Sequence, residues 1–210
     1  MDSILVLTVL IVIFAFGFDF INGFHDTANA IATAVSTKAL KPRHAIIMAA
    51  LMNFLGAISF TGVAETITES IVNPFTLANG QIVILSSLIS AIIWNLITWY
   101  FGIPSSSSHA IIGSIAGAAI ASSGFHVIEY RGFISIIEAL LLSPILAFTI
   151  GFTVYSIFKV AFQNFKLAKT NRHFRLIQIF TAALQSFSHG TNDAQKSMGI
   201  ITMALIANHY

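Results

Sequence analysis

The chain has 210 residues, of which 56% are hydrophobic and only 9% are charged, with ten Lys and Arg against eight Asp and Glu. A soluble domain carries about 25% charged residues, so composition excludes a soluble globule and points to an all-α integral membrane protein. With no cysteine in the chain, a disulfide framework and a thiolate metal site are excluded as well.

The first segment is apolar or small from Ile4 to Phe18 except for Thr8, and then turns polar at Asp19, Asn22, His25, Asp26 and Asn29. No basic residue precedes it and no small-residue cleavage site precedes the polar motif, so it is expected to be a retained helix rather than a signal peptide. Gly23 offers a place for this helix to break, with Asp26 and Asn29 opening a second half-helix. Lys38, Lys41 and Arg43 follow in a short loop with Pro42. Segment two covers 45–63 and is interrupted by Asn53. The stretch 65–81 is polar and acidic, with Asn73-Pro74 and Asn79-Gly80 as turn signals. Segment three, 82–101, ends on the interfacial pair Trp99-Tyr100.

Pro104, four serines at 105–108 and His109 come next, ahead of a small-residue helix over 110–121. Pro stops one helix and is tolerated at the start of the next. Serine hydroxyls and free N–H groups there form an anion cradle. Gly113 and Gly117 fit helix packing. Segment five is expected over 133–158, with Glu138 near its start, and a basic stretch over 159–175 holds five Lys or Arg.

Residues 188–204, SHGTNDAQKSMGIITMA, repeat the pattern of the first motif: Gly23-x-His25-Asp26 aligns with Gly190-x-Asn192-Asp193, an offset of 167 residues. The stretches 38–43 and 159–175 hold eight of the ten basic residues, and 65–81 holds none. Placing both basic stretches in the cytoplasm leaves four crossings between them, so the two motif segments run antiparallel and the repeat is inverted.

Asp26 and Asp193 either hold a cation beside a substrate or cap half-helix N-termini. A charged group at membrane depth costs about 2.5–3.5 kcal/mol, which favours the cation. Asn29 and Asn192 offer amide groups to an ion or to a neighbouring helix. His25, His109 and His189 lie in or beside polar motifs, where they serve a proton path or a hydrogen-bond network. Lys196 is suited to balancing acids or meeting an anion. An enzyme is not expected, because Ser105–Ser108 and His109 are sequence neighbours that point different ways on a helix.

Three stretches, GFHDTANAIATAV at 23–35, WNLITWYFGIPSSSSHAIIGSIAG at 94–117 and FSHGTNDAQKSMG at 187–199, resemble the inorganic phosphate transporter family in its bacterial form. The resemblance implies an inverted-repeat secondary transporter with broken helices, multi-pass in the bacterial inner membrane. It would move phosphate, often as a metal–phosphate complex, with H⁺ or Na⁺; a minority of relatives carry sulfate. His25 stands where the family has Asn, Gly190 to Asp193 match its motif intact, and His189 matches a functional histidine. Asn53 replaces an acid in segment two. Ser105, Ser106, Ser107, Ser108, Thr191 and Asn192 would then bind phosphate, and Asp26, Asn29 and Asp193 the coupling ion. His25, His109, His189 and Asn53 would form a proton path or network. No cofactor and no protein-bound metal is expected; partners are phosphate, the cation, the bilayer and a second copy in a homodimer, with no nucleic acid.

Two units at this offset predict a chain of about 330 residues. The sequence is accordingly divided into a first transmembrane repeat (1–158), a basic cytoplasmic loop (159–175) and the start of a second repeat (176–210) that is expected to be truncated. A sulfate symporter of the same family, or a truncated non-transporting membrane subunit, is the alternative expectation.

Overall fold

In a chain this apolar the backbone polar groups have to be satisfied within helices, and the computed structural model is built almost entirely of them. It describes residues 3–72, 79–165 and 167–206. The helices are α1 (Ser3–Ser36), α2 (Pro42–Ser59), α3 (Gly62–Ser70), α4 (Gly80–Tyr100), α5 (Ser107–Ser123), α6 (Tyr130–Phe162) and α7 (Leu167–Ile206), with a 3₁₀ turn at Phe125–Val127. Among the described residues, three helices are long and apolar enough to cross a membrane: Leu5–Ser36, Gly80–Tyr100 and Tyr130–Phe162.

Of the expected interruptions, the one at Pro104 is present. Helix α4 stops at Tyr100, Gly102 adopts a φ of 64°, and α5 begins at Ser107, capped by the Ser106 hydroxyl accepting from the His109 N–H. Those expected at Gly23 and in the second motif are absent, because α1 and α7 run helically through both. A helical glycine costs about 1 kcal/mol relative to alanine, less than stranding several backbone groups in lipid.

Two further expectations change. The acidic stretch after segment two is not a loop throughout: α2 ends at Ser59, Phe60 is extended, and the short α3 starts at Gly62. The basic stretch 159–175 is largely helical, since α6 reaches Phe162 and α7 begins at Leu167. Asn79 takes the left-handed conformation expected of its turn, while Asn73-Pro74 and Lys166 lie outside the described residues.

Helix α7 is the axis on which the others are arranged. Along α1 and α7, Asp19 meets Ser197, Asn22 meets Asp193 and Thr37 meets Gln178. Ascending numbers on one helix meet descending numbers on the other, so the two motif helices are antiparallel, as the charge pattern required. Helices α2 and α3 also pack on α7, with α2 touching α1 as well, and α4 lies on α1 with α5 beyond it. The apolar core is shared by Ile11, Ala15 and Phe18 of α1, Ile84, Leu88 and Ala91 of α4, Ile111 and Ile115 of α5, and Ile200 and Met203 of α7. Helix α6 has no buried residue; its apolar surface suits lipid.

The α2–α7 crossing is a backbone contact. A Cβ on Gly190 would stand 2.6 Å from Asn53 Cα, and one on Gly56 would stand 2.9 Å from Thr191 N. A Cβ added at Gly113 or Gly117, both expected at a packed interface, would meet nothing within 4 Å, and the two line an open groove between α4 and α5. Gly190→Ala is therefore expected to destabilise the fold by about 1–3 kcal/mol, the usual cost of overpacking, whereas Gly113→Ala should be neutral or better. Thermal unfolding of the two variants in detergent checks this; equal melting temperatures would refute the close crossing.

Candidate functional site

Three elements place their polar residues at one point inside the bundle. Asp19 and Asn22 lie near the middle of the 34-residue α1, a helix about 50 Å long, with Asp26 one turn further. Helix α5 contributes its first residue, Ser107, because Pro104 has ended the preceding helix. Helix α7 contributes Asp193 and Lys196, one turn apart on the same face.

The connections form a chain. Lys196 Nζ donates to Asp193 Oδ1 at 2.7 Å and to Ser107 Oγ at 2.9 Å. Ser107 Oγ in turn donates to Asp26 Oδ2 at 3.1 Å, and His25 Nδ1 stands 3.4 Å from the other Asp26 oxygen. On the far side Asn22 Nδ2 donates to Asp193 Oδ2 at 2.9 Å, and His189 Nε2 lies 3.0 Å from the same oxygen. His189 Nδ1 then reaches Asn53 Oδ1 of α2 at 2.8 Å. Lys196 is only 2% exposed, so its charge is held by these partners rather than by water. An ammonium buried that deeply is tolerated only when paired and hydrogen-bonded.

Two cavities flank this chain, and their chemistry differs. A cavity of about 650 Å³ between α1, α2 and α7 has Asp19, Asn22, Asn53, His189 and Asp193 as its polar lining. A smaller one of about 200 Å³ is lined by Ser108, Asn192 and Lys196 among apolar residues of α3, α5 and α6. The first is largely apolar, and its polar groups include the carboxylates of Asp19 and Asp193. The second offers donors at the N-terminus of α5, where the helix dipole also favours an anion.

The residues expected from sequence separate accordingly. Asp26, Asp193, Ser107, His25, His189 and Asn53 come together in the network, and Ser108 and Asn192 meet at the smaller cavity. Asn29 is exposed and joins neither. Its counterpart in the repeat register is Lys196, which is buried, so equivalent positions have unequal surroundings. Ser105 accepts from Trp94 Nε1 at 3.1 Å, and Ser106 is taken up in capping α5. Thr191 donates to the Ser188 carbonyl of its own helix at 2.7 Å. His109 is exposed on the α4–α5 groove. Helix α5 presents its N-terminus here, whereas the second motif is mid-helix and its N–H groups are taken up within α7.

Asp19, Asn22, Gln195 and Ser197 were not singled out as site residues. Ser197 donates to Asp19 Oδ2 at 2.7 Å. Gln195 accepts from Val63 N at 3.0 Å and donates to the Phe60 carbonyl, spanning the α2–α3 break with both ends of its amide. The available signal was spacing: Asp19, Asn22 and Asp26 fall on one helical face, as do Asp193 and Ser197.

A family model described as the phosphate transporter family matches residues 22–169 and 161–209. A probable low-affinity inorganic phosphate transporter of Bacillus subtilis is 72% identical over 206 residues, covering 98% of this chain and 62% of that protein. One of Streptomyces halstedii is 41% identical over 187 residues, covering 89% of this chain and 87% of its own. The chain thus spans a little under two thirds of the length of the Bacillus relative. A solved structure titled the sodium-dependent phosphate transporter superposes with a TM-score of 0.80 over 97% of this chain and 68% of its own, at 23% identity, so the fold is shared. With the family model matched over nearly the whole chain, the chain belongs to the phosphate transporter family.

Proposed function

We propose that this chain carries inorganic phosphate across the bacterial inner membrane as a secondary active symporter, coupled to H⁺ or Na⁺. The observation that supports it most is the joining of both motifs to the serine helix through one lysine: Lys196 bonds Asp193 of the second motif and Ser107 of α5, which bonds Asp26 of the first. A shift of any one of these elements disturbs the bonds of the other two, which is the connection alternating access needs.

Electrostatics gives the reason for coupling. Asp19, Asp26 and Asp193 stand against Lys196, so with neutral histidines the region carries more negative than positive charge before any anion arrives. Coulomb energies between charges a few ångströms apart are several kcal/mol in such surroundings. An anion entering alone meets that repulsion, and a cation entering with it relieves it. Phosphate would sit in the donor-lined cavity against Ser108, Asn192 and Lys196, with Ser107 and Asp26 behind. A metal–phosphate complex would satisfy the same balance, since it brings its own positive charge.

Phosphate is favoured over sulfate because a protonated phosphate oxygen can also donate, to the carboxylates behind Ser107 and Lys196 once those bonds rearrange, whereas sulfate has only acceptors. The basic residues around the α1–α2 turn and the α6–α7 turn would face the cytoplasm, with the segments between them crossing the membrane.

Uptake of labelled phosphate into proteoliposomes under an imposed Na⁺ or pH gradient tests this directly. One gradient should drive uptake and excess sulfate should not compete; no gradient-driven uptake, or equal competition by sulfate, would reject phosphate symport. Asp26→Asn is expected to abolish cation-dependent uptake while the protein still inserts. Ser107→Ala, which removes hydrogen bonds to both Lys196 and Asp26, should raise the KM for phosphate by about tenfold or more.

Lys196→Met should destabilise the chain by about 3–5 kcal/mol, because Asp193 is left buried without its ammonium. Much of that loss should return in the double variant Lys196→Met/Asp193→Asn. Melting temperatures of the single and double variants decide it, and a single variant as stable as wild type would show the pair to be unimportant.

A further inference from the structure

We infer that Asp19 and the amide oxygen of Asn22 form the seat of a monovalent cation on the acceptor-lined side of the network. The inference rests on the symport reading above only in identifying which cation-binding groups serve it.

Of the carboxylates the sequence pointed to, Asp193 already has a compensating ammonium in Lys196, and Asp26 is tied through Ser107 to that same ammonium. Asp193 holds Lys196, His189 and Asn22, and Asp26 holds Ser107 with His25 adjacent. Asp19 differs. Among the described residues no cationic group forms an ion pair with it, and the hydrogen bond it receives comes from the neutral Ser197 hydroxyl. A carboxylate at the middle of a membrane-length helix with no counter-charge of its own is expensive.

Asn22 supplies the independent observation. It is 2% exposed, lines the same 650 Å³ cavity as Asp19, and its Oδ1 is a buried acceptor with no hydrogen-bond donor. The orientation of the amide is fixed, because its Nδ2 end donates to Asp193. An orphaned buried carbonyl oxygen costs about 1–3 kcal/mol. A cation would satisfy Asn22 Oδ1 and neutralise Asp19 together, since both stand one helical turn apart on the same face of α1. Carboxylate, carbonyl and hydroxyl oxygens, supplied here by Asp19, Asn22 and Ser197, suit a hard cation.

The surrounding charges agree with a single positive charge at this point. Asp193 and Lys196 of α7 both act electrostatically on Asp19, and they already compensate each other. His189 of α7 lines the cavity and is engaged with Asn53 and Asp193. Helix α2 adds only the neutral Asn53 to the polar lining, and α4, which packs against α1, carries no charged residue. Na⁺ and a proton share the requirement for one unit of positive charge on Asp19, and the test separates them.

The wild-type chain in detergent, without phosphate, is melted while NaCl replaces choline chloride at constant pH, and separately while pH is lowered at constant ionic strength. A ligand that binds the folded state raises the melting temperature saturably. Wild type should be stabilised by Na⁺ or by protons. Asp19→Asn should lose that response, and Asn22→Ala should shift its midpoint by about tenfold, as for loss of one bond to a charged group. A response to Na⁺ that Asp19→Asn removes identifies sodium, and one to pH alone that it removes identifies the proton. An unaltered response in Asp19→Asn, or no response of wild type to either cation, overturns the site. Should Asp19→Asn fail to fold, an unshifted midpoint in Asn22→Ala overturns it equally. Phosphate takes no part in the readout, so failed phosphate uptake would leave the cation site standing, and a missing cation response would leave phosphate selectivity standing.

Discussion

The constraint on which this structure turns is a buried ammonium with too few places to put its charge. Lys196 sits in the interior of an apolar bundle, and a charge there is stable only while its partners stay in place. Those partners are Asp193 of its own helix and Ser107 of another. Because Ser107 also holds Asp26 of α1, the demand of one side chain fixes the relative position of three helices. The close approach of α2 to α7 at Gly56 and Gly190 then brings Asn53 to His189. Packing and polarity specify the same arrangement, which is a mark of a well-determined fold.

The network also divides the interior by chemical character. On one side lie the donors of the α5 terminus and Lys196; on the other lie the carboxylate and amide oxygens of α1. Opposite ions placed across such a partition each reduce the desolvation cost of the other. Lys196 and Asp193 stand between them, already paired, and any redistribution of their bonds is felt on both sides. The α2–α3 break is tied to the same helix turn by Gln195, which satisfies the Phe60 carbonyl and the Val63 amide of the interrupted backbone. The helix can be broken there because a side chain takes over the lost hydrogen bonds.

Particular residues show where sequence reasoning reached and where it stopped. Asp26, Asp193 and the serine run stood out because polar residues in apolar segments are costly, and a cost of that kind is visible without a structure. Pro104 marked a true break, because a residue lacking its N–H and clashing with the preceding turn acts locally. Gly23 did not mark one, since a glycine merely permits a break and the surrounding helix had no reason to take it. Asn29 and Lys196 occupy equivalent repeat positions, yet one is exposed and the other buried. That difference belongs to the neighbours, and the repeat alone does not contain it.

The sequence by itself determined the helical membrane class, the antiparallel relation of the two motifs and the family, because hydropathy, charge asymmetry and motif order are properties of the chain read along its length. Tertiary structure decided which polar groups act together. It separated Ser107 from Ser105 and Ser106, removed Asn29 and Thr191 from the shared network, and brought Asn22 to Asp193 and Ser197 to Asp19 across more than 170 residues. Side-chain partnership at that separation depends on helix rotation and crossing. Those are fixed by backbone contacts such as Gly190 against Asn53, which no local pattern encodes.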